Sequence, residues 1–276
     1  NQGFKDHRVF CNYGIILKNL GQLKDAELST RKAIELKPNY AMAHSNLGGI
    51  LNNLGKLKDA ELSTRKAIEL KPDYAEAYYN LGVILKDLGK LEEAEFSYRK
   101  AIELKPDYVM AHYNLGIILR DFEKLKDAEL SSRKAIELKP DYAEAHYHLG
   151  IILRDLGKLK DAELSTRKAI ELKPDYAEAH SNLGGILGDL GKLEDAEFFF
   201  RKAIELKPDY ATSYWNFSGL ANTIEEAEER INQCLKANKN HLKAKLTLSA
   251  IKFHQGDQSS FNNLIKSNYK DHRITR

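Results

Sequence analysis

LKDAELSTRKAIELKP occupies Leu23–Pro38, and the same string returns unchanged at Leu57–Pro72 and Leu159–Pro174. Close variants fill Leu91–Pro106, Leu125–Pro140 and Leu193–Pro208. All six prolines therefore keep one spacing of 34 residues, at Pro38, Pro72, Pro106, Pro140, Pro174 and Pro208. A fixed period of this size is produced by stacked supersecondary units, each too small to bury its own apolar face and each covering its neighbour.

One period, Ala75–Tyr108, shows the internal plan. Tyr78, Leu81, Gly82 and Leu85 recur at three- and four-residue steps, so Ala75–Leu88 reads as a helix. Asp73 suits its N-cap, and Glu76 suits the positive end of its dipole. Gly89 then supplies the left-handed residue that stops it. Leu91–Leu104 repeats the pattern with Ala94, Tyr98, Ala101 and Ile102 on one face. Pro106 forbids continuation, and Asp107 is placed to cap the next helix. Gly82 and Ala94 are small where two helices of a hairpin must approach. Glu123 stands where Gly21, Gly55, Gly89, Gly157 and Gly191 end the other first helices. A non-glycine there costs about 1–2 kcal/mol in the left-handed conformation, which predicts a looser hairpin in Val109–Tyr142.

The order of an aromatic, Leu-Gly, alanine, aromatic, alanine and proline, carried by Tyr78, Leu81, Gly82, Ala94, Tyr98, Ala101 and Pro106, resembles the tetratricopeptide repeat. The resemblance implies an all-α fold, a right-handed superhelical solenoid of antiparallel helix pairs whose first helices line a concave groove. It predicts six full units over 7–210 and a seventh, 211–241, shortened by three residues in its turn. There Ser218 replaces the glycine and Ala227 falls three places early. Residues 242–276 read as a degenerate eighth unit and C-terminal cap, with a polar second helix around Ser259–Ser267. Residues 1–6 read as a remnant or linker. The chain begins at Asn1 without a methionine, and the KDHR of Lys5–Arg8 recurs at Lys270–Arg273. It reads as a piece cut from a longer protein. With no preceding cap, Val9 and Phe10 are expected to lie exposed on the first helix, which favours a weak homodimer through the terminal repeats.

Composition narrows function by exclusion. The 43 basic and 40 acidic residues nearly cancel, at net +3, leaving no electrostatic footprint for nucleic acid or an anionic membrane. The acidic run of Glu225, Glu226, Glu228 and Glu229 reads as a solvated helix face. No stretch is long and apolar enough to span a bilayer. Cys11 and Cys234 lie in different repeats, without metal-ligand or disulfide spacing, which fits a cytoplasmic setting. The glycine pairs Gly48-Gly49 and Gly184-Gly185, with Gly188, lack the strand-then-helix context of a phosphate loop, so they are expected only to thin and widen the groove. His44, His112, His146 and His180 take the place of Tyr78 and read as packing residues. His146 and His148 point in different directions and do not chelate. Serines and threonines recur by duplication, whereas a catalytic residue is expected once. The sequence thus predicts a non-enzyme without cofactor or metal.

Three sets of equivalent positions make the candidate groove. The first reads Asn12, Asn46, Asn80, Asn114, His148, Asn182 and Asn216. An asparagine amide both donates and accepts, so a row of them suits the backbone of an extended peptide. The row is similar to the asparagine ladder in the repeat arm of O-linked N-acetylglucosamine transferase, whose units also read NLG and LKxxG. The second set carries Tyr79, Tyr113, Tyr147 and Trp215, amphipathic rings common at interfaces, with Cys11, Ser45 and Ser181 at its other places. The third pairs Lys86, Arg120 and Arg154 with Asp87, Asp121 and Asp155. Tyr79–Asp155 is where a ligand is expected to dock most strongly, unless the charges pair with one another. A scaffold that binds an extended segment of a partner protein is the leading reading. The alternative is the substrate-recruiting arm of a larger transferase.

Overall fold

The structure, a computed structural model, describes residues 6–259 and 261–263. The described residues hold fifteen complete α-helices, further helical residues at 258–259 and 261–263, and no strand. They fall into two compact units, residues 1–140 and 141–276. In the first unit, α1 (His7–Asn19) pairs with α2 (Leu23–Leu36) and α3 (Ala41–Asn53) with α4 (Leu57–Leu70). There α5 (Ala75–Asp87) also pairs with α6 (Leu91–Leu104), and α7 (Val109–Asp121) with α8 (Leu125–Leu138). In the second, α9 (Ala143–Asp155) pairs with α10 (Leu159–Leu172) and α11 (Ala177–Asp189) with α12 (Leu193–Leu206). A shorter pair follows, α13 (Ala211–Ser218) and α14 (Ile224–Ala237), and then α15 (Leu242–His254).

The turn inside each pair is a left-handed cap. After α5, Gly89 adopts φ 75°, its N–H donates to Lys86 O at 2.9 Å and that of Lys90 to Leu85 O at 2.9 Å. These bonds satisfy carbonyls that the end of a helix leaves open. Glu123 keeps the same conformation at φ 57°, with the equivalent bonds to Arg120 O and Leu119 O both at 2.8 Å. The looser hairpin expected there is not found: the backbone bonds hold Glu123 in place and the strain stays within one residue.

The turn between pairs corrects the expected capping. Tyr74 and Tyr108, not Asp73 and Asp107, stand at the N-caps of α5 and α7, and neither makes a side-chain cap bond. Proline drives the residue before it out of helical geometry, and Lys71 and Lys105 take φ −144° and −142°. Tyr74 N–H then donates back to Lys71 O at 3.2 Å, which puts Asp73 inside the turn, one place too early to cap. The Lys71 ammonium lies 5.0 Å from the centre of the Tyr74 ring, and Lys105 repeats this over Tyr108, a contact that pins the turn.

Packing follows the small residues. Ala26, Ala60, Ala94 and Ala128 in the first unit, and Ala162 and Ala196 in the second, are wholly buried. A Cβ on Gly82 would sit 2.6 Å from Tyr98 Cε1, so glycine there is what admits the ring. Leu47, Leu51, Ala60 and Ile84 form one buried cluster with Ile34 and Leu88 against it, tying three successive pairs together. Charges repeat the same tie outside: Glu61 accepts from Arg65 at 2.8 Å and from Lys90 of the following turn at 2.8 Å.

Phe10 is not the exposed residue expected of α1. It packs on Cys11, Ala33 and Ala43, and the open face consists of Val9, Tyr13, Ile16 and Leu20. In the α13–α14 pair, Arg230 is buried, donates to Phe217 O at 2.9 Å and lies over the Phe217 ring. Thr223 caps α14 through Glu226 N–H. The readings of residues 1–5, of KDHR at Lys270–Arg273 and of most of the helix around Ser259–Ser267 lie outside the described residues.

Candidate ligand-binding face

The asparagine row falls on the first helices, and the structure gives most of its amides an internal task. Asn46 Nδ2 donates to Cys11 Sγ at 3.2 Å, Asn80 Nδ2 to Ser45 Oγ at 3.0 Å and Asn114 Nδ2 to Tyr79 Oη at 3.3 Å. Each reaches back 35 residues into the preceding pair, so the row doubles as a tether between pairs. In the second unit, Asn182 Nδ2 donates instead to Thr166 Oγ1 at 3.3 Å. Asn12, on the first helix, is exposed, and Asn216 is half-buried. His148 is half-buried, with its ring edge-on to Tyr147 at 5.4 Å.

The aromatic positions serve the joints between pairs. Tyr79 is half-buried, 5.9 Å from Tyr98 and 4.9 Å from Tyr108 between ring centres, and burial raises its phenol pKa. Tyr147 stands 4.9 Å from Tyr176 in the same way, and Trp215 packs with Tyr214 on the cluster of Ile231, Cys234 and Leu248. Tyr113 is half-buried too. Where this set is small, at Cys11, Ser45 and Ser181, the residue is fully covered.

The charged positions largely engage one another across pairs. Arg154 Nε donates to Asp189 Oδ2 at 2.6 Å, and Asn52 Nδ2 to Asp87 Oδ2 at 3.1 Å. Arg120 and Asp155 are not free of partners either. Lys86 is half-buried and Asp121 exposed, and neither has an ion pair among the described residues. Gly185 is not an empty widening: a Cβ there would lie 2.6 Å from Arg154 Nη1, so glycine makes room for the guanidinium. Gly49 similarly faces Lys18 Nζ at 3.3 Å.

The histidines share one role. Nε2 of His44, His112 and His180 lies 2.8, 2.9 and 2.9 Å from the carbonyls of Pro38, Pro106 and Pro174, which fastens each first helix to the turn before it. Among the described residues no group of three His, Cys, Asp or Glu side chains is placed to hold a metal, and no helix is long and apolar enough to cross a membrane.

A further feature escaped the reading by equivalent positions. Between α4 and α6, over α5, lies a cleft of about 680 Å³ lined by Ile68, Tyr78, Leu81 and Phe96, with Arg65, Glu92 and Glu93 at its edge. Its signal in the sequence was the change from LKDAEL to LEEAEF at Leu91–Phe96.

Comparison with known proteins gives one consistent result. Models of the tetratricopeptide repeat match residues 7–40, 75–108, 111–142, 143–176 and 177–210, and a TPR repeat model matches 50–89. No curated protein matches the chain. Among solved structures, YrrB, described as a TPR protein with an unusual peptide-binding site, is 28% identical with a TM-score of 0.53. The match covers 66% of this chain and 95% of YrrB. PilF of Pseudomonas aeruginosa is 19% identical with a TM-score of 0.71, over 78% of this chain and 97% of its own. A tetratricopeptide repeat protein of Parabacteroides merdae is 19% identical with a TM-score of 0.68, over 89% and 98%. At 19% identity the last two speak for the fold alone.

Proposed function

We propose that this chain, which belongs to the tetratricopeptide repeat family, binds an extended segment of a partner protein along its first helices. Proteins of this family are in general protein-interaction scaffolds, and YrrB carries a peptide-binding site in its description. The observation that carries the reading is the orientation of the asparagines. Asn46, Asn80 and Asn114 are each fixed by one amide N–H, while each amide oxygen and second N–H has no partner among the described residues. A held amide offers a peptide unit both a donor and an acceptor without first losing its own freedom.

Tyr79, Tyr113, Tyr147 and Trp215 supply half-buried apolar shoulders to that row, and Lys86 with Asp121 supplies unpaired charge beside it. Two buried free thiols, Cys11 and Cys234, support a reducing, cytoplasmic setting. Burial pushes the Cys234 thiol up to about 11, far from a reactive thiolate. No step of this function is chemical: the chain would hold a ligand by shape and backbone contacts.

The test is an array of immobilised extended peptides probed with the wild type, with Asn80→Ala/Asn114→Ala and with Ser45→Ala. The double variant is expected to lose about tenfold in retention, and Ser45→Ala, which frees the Asn80 amide but leaves it in place, to lose less. Equal retention by all three would remove the asparagine row from the binding surface. The row also supports a second reading, the substrate-recruiting arm of a larger transferase. A weak homodimer through the open face of α1 belongs to the same set of proposals.

A further inference from the structure

The repeat is regular enough that its departures mark positions. The second helices α2, α4, α8 and α10 all open Leu-Lys-Asp-Ala-Glu-Leu, whereas α6 opens Leu91-Glu92-Glu93-Ala94-Glu95-Phe96. In the second unit α12 makes the same two changes, with Glu194 for lysine and Phe198 for leucine. A charge reversal and an aromatic replacement that travel together are unlike drift at a solvated face.

In the first unit these changes meet at the cleft between α4 and α6. Its volume of about 680 Å³ lies within the roughly 300–1,000 Å³ typical of sites that enclose a ligand. Buried Leu81 and Leu85 and half-buried Ile68 and Tyr78 form its floor, and Phe96 stands over it 66% exposed. Leu28, Leu62 and Leu130 are as exposed as Phe96, so exposure alone does not single out this place. Charge does. At the equivalent places around α3, Arg31 and Lys58 balance Glu35 and Asp59. Over α5, Arg65 is the one cation among the residues that line the cleft, beside Glu69, Glu92 and Glu93. Arg65 holds Glu93 at 2.7 Å and Lys66 holds Glu69 at 2.7 Å, while Glu92 is exposed and has no ion-pair partner among the described residues. An apolar floor under an acidic rim is complementary to one kind of segment.

We propose that the cleft between α4 and α6 is a docking site for a basic amphipathic helix of a partner protein. Such a helix sinks a bulky apolar side chain between Ile68, Leu81 and Phe96 and sets a lysine or arginine against Glu92. The site uses Tyr78, Leu81 and Leu85, a different face of α5 from Asn80, so it acts independently of the asparagine row.

The experiment is fluorescence anisotropy of a labelled Lys/Leu peptide with its leucines at helical spacing. Its companions are a scrambled peptide of the same composition and a Glu/Leu counterpart. The wild-type chain is compared with Glu92→Lys/Phe96→Leu, which restores residues that α4 already folds with, and with Asn80→Ala/Asn114→Ala; circular dichroism checks equal helicity. The Lys/Leu peptide is expected to bind about tenfold more weakly to the α6 variant, to be unaffected by the asparagine changes and to outbind both companions. Equal affinity for the α6 variant would overturn the proposal. So would equal binding of the Glu/Leu or scrambled peptide, or loss of binding on the asparagine changes, which would place the peptide on the other face.

Discussion

Glu123 holds φ 57° where five other turns between paired helices use glycine, and its hydrogen bonds are as short as theirs. The strain is therefore local, and Glu123→Gly should raise stability by about 0.5–1 kcal/mol, the left-handed cost less the entropy of a freer unfolded chain. A urea midpoint that falls would sink this account. Gly82 makes the opposite case. Gly82→Ala drives a methyl to within 2.6 Å of Tyr98 and should cost about 1–3 kcal/mol. Adding Tyr98→Ala should give a total loss smaller than the two single losses summed, because the clash disappears with the ring.

Between elements, the tethers are short and repeated. Removing the acceptor of Asn80 with Ser45→Ala should lower stability by about 0.5–1.5 kcal/mol, read from chemical denaturation, with binding to extended peptides weakened less than by loss of the asparagines themselves. The ion ties add a dependence on acid. Hydrogen bonds from Lys56, Lys90 and Lys192 of the following turns, helped by Arg31, Arg65 and Arg167, hold Glu27, Glu61 and Glu163 below their usual pKa of 4.5. A depressed carboxylate stabilises the fold fully above its unfolded pKa, and that contribution drains away as pH falls through the folded one. Denaturation midpoints should thus drop as pH is lowered from neutral to about 3. Lys90→Met should drop less over that range, having lost part of the contribution at the start. An identical acid profile would mean that these ties stabilise nothing.

At the scale of the whole molecule, α1 is the first helix whose apolar face stands open among the described residues. Val9, Tyr13 and Ile16 are 43%, 53% and 54% exposed, while their equivalents Ala43, Leu47 and Ile50 are 0%, 3% and 0%; Leu20 is 69% exposed where Leu54 is half-buried. The same face that is buried between pairs is thus open on α1, and it should drive self-association at high concentration. Sedimentation across a wide concentration range should show the wild type gaining mass and Ile16→Lys staying monomeric. A wild type that stays monomeric throughout would retire the proposal.

The period and the helix pairs were legible in the residues themselves, because a 34-residue spacing, a three- and four-residue apolar pattern and a left-handed glycine are local matters. The fate of polar side chains was not. Nothing in the spacing of Asn80 says that its amide turns toward Ser45, or that Arg154 occupies the space left by Gly185. Those partners lie 35 and 31 residues away, and only the stacking of one pair on the next brings them within reach. The cap of α5 passed from Asp73 to Tyr74 for a related reason, since the turn that Pro72 imposes decides which residue meets the helix. Local periodicity determined the elements of this protein, and the packing of neighbours decided which of its polar groups are tied to the next pair and which are left open.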